Sequence, residues 1–171
     1  MVTFSDVGEA LPSTGTGSGM VNYDSTAHSL QLQANFSGLQ GTTTASHIHA
    51  PTLVAGTGNA GVATTTPTFA LFPLGVTSGS FADTLDLTQA SSWNPAYITA
   101  NGGTTAGAEA AFALAIASGQ AYWNIHSTYA GGGEVRGFLT VVPEPSSLTL
   151  AGLGFLGLAA RIWGKRRANN A

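Results

Sequence analysis

Between Ser29 and Phe36 the chain alternates without a break. Leu30, Leu32, Ala34 and Phe36 fall on one face, and Gln31, Gln33 and Asn35 on the other. Successive side chains of a strand point to opposite faces, so this period commits the segment to a half-buried β-strand. A helix would scatter the same residues around its circumference. Gly79 to Leu87 repeats the pattern, with Phe81, Leu85 and Leu87 together. Ala121–Thr128, followed by Gly131–Leu139, reads as one strand, a glycine turn and a second strand that ends at Val141-Val142. Shorter strands are expected at Gly19–Tyr23, through Ser46–His49 and over Val62–Thr66, with Pro51, Pro67 and Pro73 as breaks. The rest of 52–79 has no clear period. Trp93, Pro95 and Ile98 read as a covering segment. Thr105–Ser118 reads as the one helix, alanine-rich, with Phe112 and Ile116 four apart and Gly119 as its carboxyl-terminal cap. About six to eight short strands with one short helix predict an all-β fold, an antiparallel sandwich or barrel.

Charge narrows the function. Charged residues make up 8% of the 171, against roughly 25% in soluble domains generally. Residues 1–142 hold seven acidic residues against a single base, Arg136. Nucleic acid is therefore not an expected partner. The sequence has no cysteine, which excludes disulfides and thiolate metal sites.

The positive charge sits in the last residues, as Arg161, Lys165, Arg166 and Arg167. Before it, Leu148 to Ala160 carries no charge, and Pro143-Glu144-Pro145 separates that run from the last strand. Thirteen residues fall short of the roughly 20 that a full span requires. Ser146 and Ser147 before the run, with a snorkelling Arg161 and an interfacial Trp163 after it, extend it to a thin transmembrane helix. The basic cluster would stop in the cytoplasm and leave residues 1–142 outside. The first residues show neither a basic region nor a long apolar run, so the true start is expected upstream.

The candidate chemistry lies in the histidines. His47 and His49 flank Ile48, so their imidazoles share the face opposite that core residue. If Ile48 shares its core with Trp123 and Ile125, His126 joins them on the same side of one sheet. Three imidazoles so placed suit zinc or copper. A buried hydrogen-bond network with Asn124 and neighbouring hydroxyls is the other reading, and both stay open on the sequence. Glu134 and Arg136, two apart, read as a salt bridge on one face or as a fourth ligand, Glu134, held by Arg136. His28, in a turn, reads as exposed. No Gly-x-Ser-x-Gly elbow occurs, and Asp83 and Asp86 point to opposite faces, so neither hydrolase nor paired-carboxylate chemistry is supported.

Two resemblances cover nearly the whole chain. His47-Ile48-His49-Ala50-Pro51, Tyr122-Trp123-Asn124-Ile125-His126-Ser127 and Gly133-Glu134-Val135-Arg136-Gly137-Phe138-Leu139 resemble the hallmark segments of the CHRD domain, named after chordin. The departures are Ala50 for glycine, Ser127 for threonine and Gly132 for proline, and none removes a histidine. The resemblance implies an immunoglobulin-like all-β domain over 1–142 and brings no established catalytic activity. Residues 143–171 resemble a PEP-CTERM sorting signal: the Pro143-Glu144-Pro145 motif, an apolar helix and a basic tail. That resemblance implies export, transient anchoring in the inner membrane, cleavage by an exosortase-type protease, and release to the cell surface or matrix.

A His-x-His also opens the ligand set of copper/zinc superoxide dismutases. The chain lacks their bridging histidine and Asp-rich zinc loop, and dismutase activity is not expected. The function expected is thus that of an exported, non-enzymatic envelope or extracellular-matrix protein, with polysaccharide or envelope proteins as partners. The alternative is a zinc- or copper-binding envelope protein or redox enzyme that uses His47, His49 and His126.

Overall fold

A computed structural model describes the backbone of residues 2–4 and the whole of residues 12–140. The sorting segment, including Pro143, Glu144, Pro145, Arg161, Lys165, Arg166, Arg167 and the expected transmembrane helix, lies outside the described residues. Among the described residues, no helix is long and apolar enough to cross a membrane.

The elements run β1 (Val2–Phe4), β2 (Thr16–Asp24), β3 (Ser29–Ser37), β4 (Thr43–His49), β5 (Gly79–Asp86), α1 (Pro95–Ala100), α2 (Thr105–Ala117), β6 (Tyr122–Ser127) and β7 (Val135–Phe138). They form two antiparallel sheets, one ordered β1-β2-β3-β5 and the other β4-β6-β7. The all-β, antiparallel reading of the sequence is what the chain adopts.

β3 shows why. Its buried and exposed positions alternate along the strand, with Leu30, Leu32, Ala34 and Phe36 inside. Each buried leucine or phenylalanine contributes roughly 1.5–3 kcal/mol by leaving water. Across the core, the opposite sheet supplies Ile48, Trp123, Ile125 and Val135, all fully buried. Trp123 meets Phe69 and Phe81 edge-on, with centroids 5.7 and 6.2 Å away. Its indole N–H donates to Ser46 Oγ at 2.7 Å, so the ring is buried without losing its hydrogen bond.

The helical part differs in detail from expectation. α2 runs close to the expected bounds, capped by the Thr104 side chain at one end and by Gly119, at φ +69°, at the other. A second helix, α1, precedes it. Asn94 accepts from Ala96 N, and Pro95 occupies the first helical position, a start signal that the covering-segment reading passed over. The strand expected over Val62–Thr66 does not form; only isolated bridges pair Val62 with His49 and Thr64 with Trp93. His28 keeps about half of its side chain in solvent, yet its Nδ1 lies 2.9 Å from Glu109 on α2, which also accepts from the Tyr23 hydroxyl.

Candidate metal centre

β4 is an edge strand, and residues 61–69 cover that edge. Ser46 N donates to Thr68 Oγ1 and Ile48 N to Thr64 Oγ1, each at 2.9 Å. Ala50 N reaches Gly61 O, while the carbonyls of Ser46 and Ile48 accept from Phe69 N and Ala63 N. Threonine hydroxyls thus stand in for the missing neighbour strand and shield the edge. They also hold the carbonyls of Ala60 and Pro67 against the outer face of the sheet.

The antiparallel register between β4 and β6 sets the histidines. His47 lies opposite Asn124, His49 opposite Tyr122, and His126 opposite Ala45. Residues opposite one another share a face, so all three imidazoles stand on the side away from Ile48, Trp123 and Ile125. His126 is one diagonal step from His47, beside the short Ala45 side chain. Ring centroids are 4.6 Å apart for His47 and His126, 4.8 Å for His47 and His49, and 5.9 Å for His49 and His126. One ring nitrogen from each lies within 4.8 Å of the others, and His47 Nε2 and His126 Nε2 are 2.8 Å apart.

The other ring nitrogens decide the protonation state. Each Nδ1 faces a main-chain carbonyl: Pro67 O at 3.1 Å from His47, Ala60 O at 2.8 Å from His49, and Gly131 O at 2.9 Å from His126. A carbonyl only accepts, so each Nδ1 carries a proton, and a ring so tied that is neutral has its lone pair on Nε2. Those lone pairs converge. His49 Nε2 is buried with no hydrogen-bond partner. Burial, and after it the charges that His126 and His49 would carry, push His47 down to about 4. Burial is also the main cause for His49, which lies at about 4 as well. Both rings are therefore neutral at neutral pH.

A ring of positioning contacts surrounds the trio. Tyr122, on the middle strand, stacks on His49 with centroids 4.7 Å apart and planes 6° apart. The Arg136 guanidinium lies 5.0 Å from the Tyr122 centroid and donates to Asn59 Oδ1 at 2.6 Å and to Gly58 O. Ala60 N donates to the Tyr122 hydroxyl. Arg136 and Tyr122 thereby hold the loop whose Ala60 carbonyl orients His49. Asn124 Nδ2 donates to Gly132 O at 2.9 Å and reaches His126 Nε2 at 3.4 Å. Carbonyl partners leave no side-chain signature in a sequence.

Glu134 does not join the trio, and it does not share a face with Arg136. β7 begins one residue later, at Val135, because Gly133 before it adopts φ +127° and breaks the alternation. The carboxylate turns instead to Ser127, which stands on the core side of β6. It accepts from Ser127 Oγ, Ser13 Oγ, Gln40 N and Gly41 N. Burial pushes this carboxyl up, but the four donors outweigh it and hold the group below the usual range.

Residues 3–139 match the model of the CHRD domain family. The chain belongs to that family. Residues 141–167 match the PEP-CTERM protein-sorting motif, so the CHRD domain is followed by a signal for exosortase-dependent export, with the precursor anchored in the membrane before processing. Comparisons with curated proteins and with solved structures gave no match.

Proposed function

We propose that this CHRD domain is an exported, non-enzymatic metal-binding module of the cell envelope or extracellular matrix, with His47, His49 and His126 as the ligands. The observation that carries this reading is the convergence of three Nε2 lone pairs whose opposite nitrogens are each tied to a carbonyl. Two lone pairs 2.8 Å apart repel one another unless a proton or a metal ion sits between them. Ligands around one ion at about 2.0 Å stand roughly 3.3 Å apart, so His47 and His126 need part by only about half an ångström. Orientation of each ring through its far nitrogen is the usual outer support of a histidine metal site. Zinc and copper both suit three imidazoles. After processing by the exosortase-type protease, the domain would act at the surface or in the matrix, alongside polysaccharide or envelope proteins.

The competing reading is a buried polar network that only stabilises the fold. It leaves the buried His49 Nε2 without a partner, which is costly. Titration of the metal-stripped full-length chain in detergent with zinc and copper separates the two. One equivalent bound in wild type, and none in His47→Ala or His126→Ala, supports the metal reading. No binding in wild type, with the variants merely less stable, supports the network.

A further inference from the structure

The outer face of the β1-β2-β3-β5 sheet carries a pattern that the histidine site does not use. Register places Ser18, Asn35 and Ser80 in one row across β2, β3 and β5, and Asn22, Gln31 and Thr84 in a parallel row. Gln33 stands between the two rows, and all seven residues are exposed. Outward positions recur every second residue, about 7 Å apart along a strand, with strands about 4.8 Å apart. The three rows thus make a flat strip of hydroxyls and amides about 14 Å long and 10 Å wide. Asn22 Nδ2 donates to Gln31 Oε1 at 3.3 Å, which ties two of the amides together across the strands. Two open grooves mark the strip, one past Ser18, Asn35 and Ser80, the other past Gln31, Gln33 and Thr84.

Charge and polarity restrict what such a strip can hold. Among the described residues, no charged side chain stands in the three rows. Asp83, opposite Leu32, faces inward, and Asp24 and Asp86 stand in the row beyond. Arg136, the single base of residues 1–142, belongs to the other sheet. An anionic polymer therefore meets acids at one end of the strip and no cation along it. Met20 and Ala82, either side of Gln33, are its only apolar side chains, so a protein partner finds no hydrophobic centre to pack on. Burying the amides without replacing their bonds to water would cost free energy. The strip has no walls to enclose a small molecule. A neutral, hydroxyl-rich polymer fits on every count: it exchanges hydrogen bonds with amides and hydroxyls, brings no charge and extends along an open surface.

We infer that the outer face of this sheet binds an extended, uncharged polysaccharide. The inference rests on the export reading above, in which polysaccharide is a partner at the surface or in the matrix. It stands apart from the metal site.

The test is affinity electrophoresis of the full-length chain in native gels that contain a soluble polysaccharide, with a detergent whose headgroup is not a sugar. Dextran, a mixed-linkage β-glucan and a galactomannan are the neutral probes, and alginate is the anionic one. At least one neutral polymer is expected to retard the wild type, and alginate is not. Gln33→Ala with Asn35→Ala should raise the dissociation constant about tenfold, as two amide contacts are lost. Leu114→Gln, at an exposed position on α2, should change nothing. If the first pair fails to fold, Gln31→Ala with Thr84→Ala tests the same strip. No retardation by any neutral polymer overturns the inference, and so does retardation that survives in a folded double variant. Equal retardation by alginate overturns it as well. A dimer in sedimentation that Gln33→Ala with Asn35→Ala dissociates assigns the face to a second copy instead. Zinc and copper titration of the same preparations is read separately, so failure of the metal reading and failure of this one are distinguishable.

Discussion

His47 and His126 bring their Nε2 atoms within 2.8 Å across the β4–β6 diagonal, while each ring gives its Nδ1 proton to a backbone carbonyl. The contact is built from main-chain register on one side and loop carbonyls on the other. Its geometry therefore tests the fold and the proposed chemistry together.

Acid should unfold the metal-free protein in a defined window. His47 and His49 lie at about 4 in the folded chain, against about 6.5 when unfolded. Between those values the unfolded state binds protons that the native state refuses, so stability falls as pH falls. Among the described residues, the groups that act on the pair are His126, the Pro67 and Ala60 carbonyls, and Arg136, and none of these supplies a negative charge. Urea melts of the metal-free chain should show full stability from these rings above pH 6.5. A loss of a few kcal/mol is expected by pH 4. His47→Gln should flatten part of that slope.

Gly133 is fixed by its surroundings. Its φ is +127°, and a Cβ there would lie 2.1 Å from Asn124 Oδ1. Gly133→Ala should cost about 2–4 kcal/mol through backbone strain and displacement of Asn124. Chemical denaturation measures the loss. Gly131→Ala, with nothing within 4 Å of the added carbon, is the matched control and should be far milder.

Glu134 should prove structural. Glu134→Gln replaces one acceptor oxygen by a donor amide facing groups that are already donors, at a cost of about 2–3 kcal/mol. Metal stoichiometry should not change, because the carboxylate lies on the core side of β6. A drop in bound metal at unchanged stability would contradict that placement.

Legibility followed hydrogen-bond type. β3 was readable because its side chains alternate and its backbone pairs with regular strands on both sides. The His47, His49 and His126 face was readable for the same reason, once Ile48, Trp123 and Ile125 were assigned to one core. Residues 61–69 were not, since Thr64 and Thr68 satisfy β4 through hydroxyls and need no period. Glu134 was misplaced because alternation was carried back from Arg136 to Glu134, one residue before β7 begins at Val135. The carbonyls of Ala60, Pro67 and Gly131, which fix the tautomers, belong to loops whose residue types carry no such signal.

X-ray absorption at the metal edge of the loaded, full-length chain tests the central claim most directly. The expected spectrum has three imidazole nitrogens at about 2.0 Å, with the outer-shell scattering of imidazole rings. That signal should disappear in His126→Ala. A first shell of oxygens alone, or an imidazole signal that survives His126→Ala unchanged, would contradict the three-histidine site.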